Sequence, residues 1–359
     1  MFLKNCWYVA AWSNEISITP MARKLLNESV VMFRTASGKA VALENRCCHR
    51  GTPLTLGEVD GEVIRCGYHG LEFGPNGACV KIPGQDLIPP SCRIKSYPVV
   101  EQDAVLWIWM GDPAKADPAQ IIPYPWHNPG SGWAWKEATY VIPCHYELIH
   151  DNLLDLTHLG YVHKRTIGGN PSAHVNADMK TTRVDRHVKV VRWMRDSVPP
   201  PTYTNAAKFK GNIDRWQEIE FWPGCLRIWT GGLDVGTGAY EGKREGGFQL
   251  RIFDGITPES ETSSFYFWSS AHNFMIDKPD VTQRIYEEIA LTFDEDRVVL
   301  EQQQKELNAD PLKGLVDINA DIGGIQARRI MQRLIAEEQA EMVGASALPS
   351  MQSTPVAAE

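Results

Sequence analysis

Residues 47–51, CCHRG, and residues 66–71, CGYHGL, are the two stretches of this sequence that decide its fold. Each stretch places a histidine two or three positions after a cysteine, and glycines follow or interrupt both. Two loops that each offer one thiolate and one imidazole can close on a metal site when their tips meet. Sulfur and nitrogen ligands suit zinc or iron, so the spacing predicts a metal site without choosing the metal.

Three interpretations fit this pair of loops. In a Rieske centre, two cysteines bind one iron of a [2Fe–2S] cluster and two histidines bind the other, so each loop supplies one ligand to each iron. A structural zinc site would use the same four side chains and would have no redox chemistry. The two Cys/His pairs can also be unrelated residues in hairpin turns. The spacing favours the Rieske interpretation and leaves the other two open.

Composition excludes several classes of protein. The chain has 359 residues, and its 36 Lys and Arg against 44 Asp and Glu give a net charge of −8, so there is no basic excess for nucleic acid. The longest uncharged apolar run, 104–111, is far shorter than the roughly 18 residues of a membrane helix. We find no signal peptide pattern and expect a cytoplasmic protein. Its eight cysteines are therefore expected to be free or metal-bound.

The segments before residue 111 are typical of a small antiparallel domain. Strand patterns at 28–35 and 39–45 flank Ser37-Gly38, and similar pairs surround residues 75–77 and 102–103. Residues 111–132 contain five prolines and predict a domain boundary.

The segments after this boundary mix helices and strands. Residues 144–163 predict a helical segment, 214–230 and 248–271 predict strands of a sheet with one solvent-exposed face, and 280–307 predict a long helix. The stretch from 341 to 359 is small and polar and is predicted to be a disordered tail.

A second group of metal-ligating residue types lies in the helical segment. His158 and His163 are five positions apart, so on one regular helix their side chains would point about 140° apart. A helix that ends or kinks at Gly160 would turn His163 back towards His158. The alternative is an ordinary helix whose leucines are buried and whose His and Asp residues are exposed or hydrogen-bonded.

Two imidazoles need a carboxylate to form the 2-His-1-carboxylate set that binds Fe(II) and leaves positions open for chemistry. The candidates lie in 293–301, FDEDRVVLE, on the predicted long helix. Asp294, Glu295 and Asp296 point in three directions, so periodicity does not choose among them. Any one of them can also be a solvated charge.

The sequence resembles the Rieske non-haem iron oxygenases in both groups of residues. The blocks CCHRG and CGYHGL are similar to the family's cluster-binding motif, and this resemblance assigns Cys47 and Cys66 to one iron and His49 and His69 to the other. Cys48 stands where the family often has proline. It can be a structural sulfur, a partner of Cys79 or inert, and a reducing compartment favours the inert thiol.

The pattern Asn152-x-x-Asp155-x-x-His158-x4-His163 resembles the catalytic signature of the same family. The resemblance implies that His158, His163 and Asp296 bind a mononuclear Fe(II), with Asn152 and Asp155 as catalytic residues. It further implies that Asp155 joins His158 to His69 of a neighbouring subunit, because one carboxylate can accept hydrogen bonds from two imidazoles. A homotrimer is therefore expected.

The resemblance also implies the architecture. We expect an α+β chain with an N-terminal all-β Rieske [2Fe-2S] domain at 1–115. A catalytic domain at 116–340 follows, with an antiparallel sheet covered by helices in a helix-grip arrangement.

Further strings, including 5–10 (NCWYVA) and 82–85 (IPGQ), resemble the branch that holds vanillate O-demethylase and toluenesulfonate methyl-monooxygenase oxygenase components. This branch implies a monooxygenase of aromatic compound degradation that uses O2 to hydroxylate the methyl or methoxyl carbon of an anionic aromatic acid. The electrons would come from NAD(P)H through a flavin and iron–sulfur reductase. Because this chain has no G-x-G-x-x-G fingerprint, we expect the reductase to be a separate polypeptide.

Two questions stay open at this point. The alternative function is a Rieske electron-transfer protein whose C-terminal domain is a non-catalytic scaffold. The substrate pocket is also unassigned, since the candidate donors in 215–216, 227–229 and 272–273 are equally well explained as core aromatics with partly exposed cations.

Overall fold

The computed structural model describes residues 1–346 and contains four antiparallel sheets. The first three sheets come from the N-terminal region, in the strand orders β1-β11-β10, β2-β3-β4-β9 and β5-β6-β7-β8. Their bounds are β1 Trp7–Trp12, β2 Met21–Leu25, β3 Glu28–Arg34, β4 Ala40–Glu44, β5 Glu58–Asp60, β6 Val63–Arg65, β7 Glu72–Phe73, β8 Cys79–Lys81, β9 Ser96–Tyr97, β10 Val99–Gln102 and β11 Val105–Trp109.

The predicted hairpins of this region are confirmed, with the turn expected at 102–103 lying one residue later. Strands β3 and β4 pair around the Ser37-Gly38 turn, where Gly38 has a φ of +85°. Strands β10 and β11 pair around Asp103 and Ala104, which both have positive φ, as a two-residue turn between right-twisted strands requires. These turns explain why short, alternating apolar segments fold as antiparallel pairs here.

The rest of the chain forms one seven-stranded sheet with helices, and its strand order is β12-β18-β17-β16-β15-β14-β13. The strands are β12 Ala134–Ile142, β13 Asp178–Val184, β14 His187–Ser197, β15 Ile213–Trp222, β16 Cys225–Asp234, β17 Phe248–Ser260 and β18 Ser263–His272. The helices are α1 Tyr146–Leu154, α2 Leu159–Val162, α3 Pro171–Val175, α4 Pro201–Ala206, α5 Pro279–Ala309 and α6 Ile322–Ser346. This is the expected α+β architecture, with a large antiparallel sheet after an all-β region.

The first strand joins the two regions. Strand β1 packs on β17 of the large sheet, where the Thr257 hydroxyl donates a hydrogen bond to the Val9 carbonyl at 2.7 Å. Gly255 permits this approach, because a Cβ at that position would lie 2.4 Å from Cγ2 of Val9. Buried residues of both regions consequently form one hydrophobic cluster.

Three sequence predictions differ from the structure. The helical segment 144–163 is not continuous, since α1 ends at Leu154. Strands β12, β13 and β14 were not predicted, because their exposed faces carry mixed polar residues that weaken the alternating pattern. Helix α6 continues to Ser346, so residues 341–346 are helical and the remainder of the predicted tail lies outside the described residues.

No helix within residues 1–346 combines the length and apolar character that crossing a membrane would need.

Candidate metal centres

The two histidines of the catalytic signature come together because the chain breaks before His158. Helix α1 ends at Leu154, and Asp155 is extended, with φ −116° and ψ 97°. The Asp155 carboxylate caps the next turn, accepting a hydrogen bond from the Thr157 backbone N–H at 2.8 Å. A 3-10 turn at Leu156–His158 and the short helix α2 then carry the chain to His163.

Gly160 has a different role from the predicted one. It lies inside α2, and a Cβ at this position would be 2.4 Å from Cα of Pro171. The glycine therefore lets α2 pack closely against the start of α3, whereas the change of direction occurs at Asp155.

Helix α5 supplies the carboxylate that meets both histidines. Oδ1 of Asp296 lies 3.1 Å from Nε2 of His163 and 3.5 Å from Nε2 of His158. One ligand atom from each of the three side chains lies within 4.8 Å of the other two. Ligands at about 2.1 Å from one metal and at right angles to each other are about 3 Å apart, so the three residues fit a single iron ion.

The outer nitrogens of both histidines are already hydrogen-bonded. Nδ1 of His163 donates to the Glu295 carboxylate at 2.8 Å, and Nδ1 of His158 donates to the Asp155 backbone carbonyl at 2.6 Å. Each bond fixes the ring with Nε2 directed at the shared point, as in most protein metal sites. The Asn152 amide donates to Oδ1 of Asp296 at 2.9 Å and orients the carboxylate in the same way.

The charges of the three side chains support each other. Burial acts to raise the pKa of Asp296, but hydrogen bonds from His158 and His163 outweigh it and hold that pKa well below its usual range. Burial acts to lower the pKa of His163, yet its bonds to Asp296 and Glu295 raise it overall. The site thus concentrates negative charge on two acids around the imidazoles, which suits a divalent cation.

Two features of this centre differ from what the sequence suggested. The sequence did not distinguish Glu295 from Asp294 and Asp296. Its place next to Asp296 on the helix was a signal that it could accept a hydrogen bond from a metal-binding histidine. The Asp155 carboxylate does not contact His158 within the chain. Its Oδ2 accepts a bond from the Thr157 hydroxyl at 3.0 Å, and only its backbone carbonyl reaches His158.

A cavity opens at the three side chains, between the large sheet and the helices above it. Its largely aliphatic walls with a few polar side chains are typical of a small-molecule site. Besides Asn152 and the three metal-site side chains, it is lined by Leu153, Leu156, Leu159, Ile167, Tyr203, Arg215, Gln217, Ile228, Thr230, Leu250, Ile252, Ile289, Thr292 and Phe293. Of the pocket donors considered from sequence, Arg215 lines the cavity, whereas His272 bonds to Phe274 and Thr282.

The two Cys/His loops of the N-terminal region form the second centre. In each loop the glycine four positions after the cysteine has a positive φ and donates its N–H to the cysteine carbonyl, from Gly51 to Cys47 at 2.9 Å and from Gly70 to Cys66 at 3.0 Å. Both thiols are buried, at 3% and 2% exposure. Burial raises the pKa of Cys47, and a hydrogen bond to the neighbouring Cys66 thiol adds to this effect.

The histidines of these loops lie at the surface. The rings of His49 and His69 are exposed, and their centroids are 4.6 Å apart. Two buried thiols behind two exposed imidazoles fit a cluster in which one iron has sulfur ligands and the other has nitrogen ligands.

Cys48 does not belong to either ligand pair. Its sulfur lies 3.5 Å from the sulfur of Cys92, and both residues are free thiols. The prediction that Cys48 is inert stays a prediction.

Comparison with known proteins agrees with both centres. The family model for the Rieske [2Fe-2S] domain matches residues 6–98, and the model for the vanillate O-demethylase oxygenase C-terminal domain matches residues 142–337. The iron-sulfur subunit of a toluene-4-sulfonate monooxygenase system from Comamonas testosteroni is 44% identical, over 94% of this chain and 98% of its own.

Two more relatives extend this agreement. A vanillate O-demethylase oxygenase subunit from Pseudomonas sp. strain HR199 is 41% identical, over 94% of this chain and 96% of its own. The crystal structure of dicamba monooxygenase bound to 3,6-dichlorosalicylic acid superposes with a TM-score of 0.86 at 29% identity, covering 95% and 99% of the two chains.

The fold and the two matched domain families define the oxygenase component of a monooxygenase, with a cluster domain and a non-haem iron domain in one chain. The chain belongs to the Rieske non-haem iron oxygenases, in the branch of the vanillate O-demethylase oxygenases. Its cofactors are a [2Fe–2S] cluster and non-haem iron.

Proposed function

We propose that this chain hydroxylates the methyl or methoxyl carbon of an anionic aromatic acid, using O2 and electrons from NAD(P)H through its reductase. One observation carries the proposal. His158, His163 and Asp296 converge in the lining of a largely aliphatic cavity, the kind of wall that an aromatic ring can pack against. The relatives named for toluenesulfonate, vanillate and dicamba are consistent with such substrates.

We assign the ligands of the two cofactors accordingly. Cys47, Cys66, His49 and His69 would hold the cluster, and His158, His163 and Asp296 would hold the iron. When bound, the iron supplies dioxygen activation and the cluster supplies stored electrons. An alcohol is the product at a ring methyl, whereas a hydroxylated methoxyl carbon is a hemiacetal that breaks down to a phenol and formaldehyde.

The remaining side chains hold this arrangement in place. Asn152 orients the Asp296 carboxylate, and Glu295 and the Asp155 carbonyl fix the two imidazoles. The aliphatic walls exclude water and place the aromatic ring, so the oxidisable carbon is presented at the open side of the three ligands.

A trimer would bring the cluster of one chain to the iron of the next. The loops that carry His49 and His69 end in exposed side chains, among them Tyr68 with 63% exposure, and its ring centroid lies 3.9 Å from that of His69. On the catalytic domain, Tyr161 is 60% exposed on α2, between the two iron-site histidines. Exposed aromatic residues at both sites favour an interface between subunits.

The test is product formation by the purified chain with a surrogate reductase and NADH. A panel of methyl- and methoxy-substituted benzoates and benzenesulfonates is expected to give alcohols or formaldehyde, with about three irons and about two sulfides per chain. His158→Ala is expected to keep the red-brown colour of the cluster and lose turnover. The matched control His187→Ala, which changes a histidine stacked on Trp222 outside both centres, is expected to keep both.

Asp155→Asn tests the link between subunits. We expect it to retain both metals and to lose turnover, because an amide replaces the charged acceptor. Turnover at the wild-type rate would refute the role of Asp155. About two irons per chain and no product from any substrate would instead favour an electron-transfer protein.

A further inference from the structure

Two guanidinium groups are buried on the sheet face beside the iron-site cavity, and one of them, that of Arg215, lines the cavity itself. Arg215 is 3% exposed and Arg192 is 1% exposed. Their strands place them together, since Arg192 on β14 is paired with Gln217 on β15, two residues after Arg215. Side chains two residues apart on a strand share a face, so both cations and Gln217 lie on the sheet face that lines the cavity.

Neither cation has an acid beside it. Among residues 1–346, no carboxylate oxygen lies within 4.0 Å of Arg192 or Arg215. Arg192 bonds to the Gln217 side-chain oxygen at 2.9 Å and to the His174 carbonyl at 2.7 Å. A buried charge is costly unless an opposite charge or a full set of acceptors accompanies it. The charge of Asp155 acts on Arg192 from more than 4.0 Å away, whereas Arg215 brings to the cavity wall a positive charge with no ion-pair partner among the described residues.

Arg215 also has hydrogen-bonding capacity to spare. Its Nε donates to the Tyr203 hydroxyl at 3.2 Å, Nη2 donates to the Ile167 carbonyl at 2.9 Å, and Nη1 reaches the Gly168 carbonyl at 3.4 Å. A guanidinium has five N–H groups, so one on each terminal nitrogen has no acceptor among the described residues. These two N–H groups are available to donate to the oxygens of a carboxylate or a sulfonate.

The neighbours of Arg215 hold it in place. The residue opposite it on β16 is Gly232, where a Cβ would lie 2.6 Å from Cδ1 of Ile213 and 3.3 Å from the Tyr203 ring, so the glycine leaves room for that ring beside the guanidinium. The Tyr203 ring lies 4.9 Å from the guanidinium carbon, and its hydroxyl is fixed by Thr230 at 2.6 Å. The guanidinium is thus preorganised, which lowers the entropic cost of binding an anion.

We propose that Arg215, with the second positive charge of Arg192 behind it, binds the anionic group of the aromatic substrate and is the main determinant of selectivity for acids over neutral analogues. This inference rests on the proposed function for the identity of the cavity as the substrate site. Carboxylates and sulfonates share the required chemistry. The aliphatic walls hold the ring, so the anion at Arg215 orients the far side of the substrate towards the iron-site ligands.

The test measures binding separately from turnover. Dissociation constants are measured by anaerobic titration calorimetry on the full-length, iron-loaded protein with 4-methylbenzoate and toluene-4-sulfonate, and with the neutral 4-methylbenzamide and toluene-4-sulfonamide. We expect Arg215→Gln to weaken binding of both acids about 100-fold and to leave the amides within about threefold, since a buried charge pair is lost only with the acids. Arg215→Lys keeps the positive charge but lacks the planar set of guanidinium N–H groups. We expect it to bind the acids more tightly than Arg215→Gln and less tightly than the wild type.

Arg251 provides the matched control. It is a partly buried arginine on β17, stacked on the rings of Trp126 and Trp229 and not among the cavity residues. Arg251→Gln removes the same charge from the same sheet and is expected to change neither set of dissociation constants. A similar loss with Arg251→Gln would show that long-range charge explains the effect and would overturn the assignment.

The other outcomes are equally decisive. If Arg215→Gln weakened the binding of acids and amides equally, Arg215 would serve only to hold the backbone at residues 167–168 by hydrogen bonds. That result would overturn the proposal. If the variant does not fold, wild-type protein that binds acids and amides equally would overturn it as well. Acid binding that depends on Arg215, with no product from any methyl or methoxyl substrate, would support the anchor and refute the proposed reaction.

Discussion

Glu295→Gln is the sharpest test of how the iron site is built. The Glu295 carboxylate accepts the Nδ1 hydrogen of His163 at 2.8 Å, and its side chain is 19% exposed. Glutamine has the same length and can still accept this bond through its carbonyl, so the ring position should survive. What disappears is the negative charge that makes the imidazole a stronger ligand.

The expected loss follows from the position of Glu295 behind a ligand. Replacing such a partner typically costs 10- to 100-fold in metal affinity, or roughly 1.4–2.8 kcal/mol. We expect the dissociation constant for Fe(II) at this site to rise by about that factor, while the cluster is unaffected. At saturating iron, turnover of the variant should largely return, because Glu295 is not among the residues that line the cavity.

The assay is an anaerobic Fe(II) titration of protein whose cluster is intact and whose mononuclear site has been emptied, followed by chelation and activity. Asp294→Asn is the matched control, since Asp294 precedes Glu295 on α5, is half exposed and pairs with Arg297 at 3.2 Å. Iron affinity that is unchanged in Glu295→Gln, or reduced equally in Asp294→Asn, would refute the argument.

Two further predictions concern stability. Gly160→Ala is expected to lower the free energy of unfolding by about 1–3 kcal/mol, because its Cβ would lie 2.4 Å from Cα of Pro171. Gly211→Ala, where a Cβ meets no atom within 4 Å, is the control, and equal unfolding midpoints for the two variants would contradict this. Burial acts to raise the pKa of Glu28, but hydrogen bonds from two lysines and a tyrosine lower it to about 2. Because the folded pKa is below the unfolded one, this stabilisation is full above about pH 4.5 and is lost as the pH falls towards 2. Glu28→Gln should cost roughly 1–2 kcal/mol at pH 7 after allowance for solvent screening, and little near pH 2. A constant difference across that range in pH-dependent denaturation would contradict it.

The sequence predicted most accurately where local chemistry decides the structure. The Ser37-Gly38 turn has a glycine where φ is positive, so it is visible without tertiary information. The same holds for the Cys47 and Cys66 loops, in which the closing glycine is required by its positive φ. The turn between β10 and β11 lies at Asp103-Ala104, one residue later than predicted, because an alanine with positive φ gives no turn signal.

Tertiary contacts determine what the sequence alone did not predict. The break at Asp155 has no glycine or proline to mark it, and the capping bond to Thr157 is visible only in the fold. The choice among the acids of α5 depends on which side of that helix faces α1 and α2. Resemblance pointed to Asp296, whereas the role of Glu295 emerged from its contact with His163.

The Asp155 carboxylate shows why one chain does not complete the arrangement that the family resemblance implies. Each of its oxygens accepts one hydrogen bond from Thr157, which leaves further lone pairs on both for a donor from outside. Its backbone carbonyl meanwhile fixes His158, so the same residue already contacts an iron-site histidine. His69 is exposed, and its imidazole can donate to an acceptor on another chain. On the proposed function, Asp155 would join the two centres through its carbonyl on one side and its carboxylate on the other, and a trimer would bring the second donor. This differs from a carboxylate shared by two imidazoles, and it explains why an amide at position 155 should spare the iron site while weakening the contact between subunits.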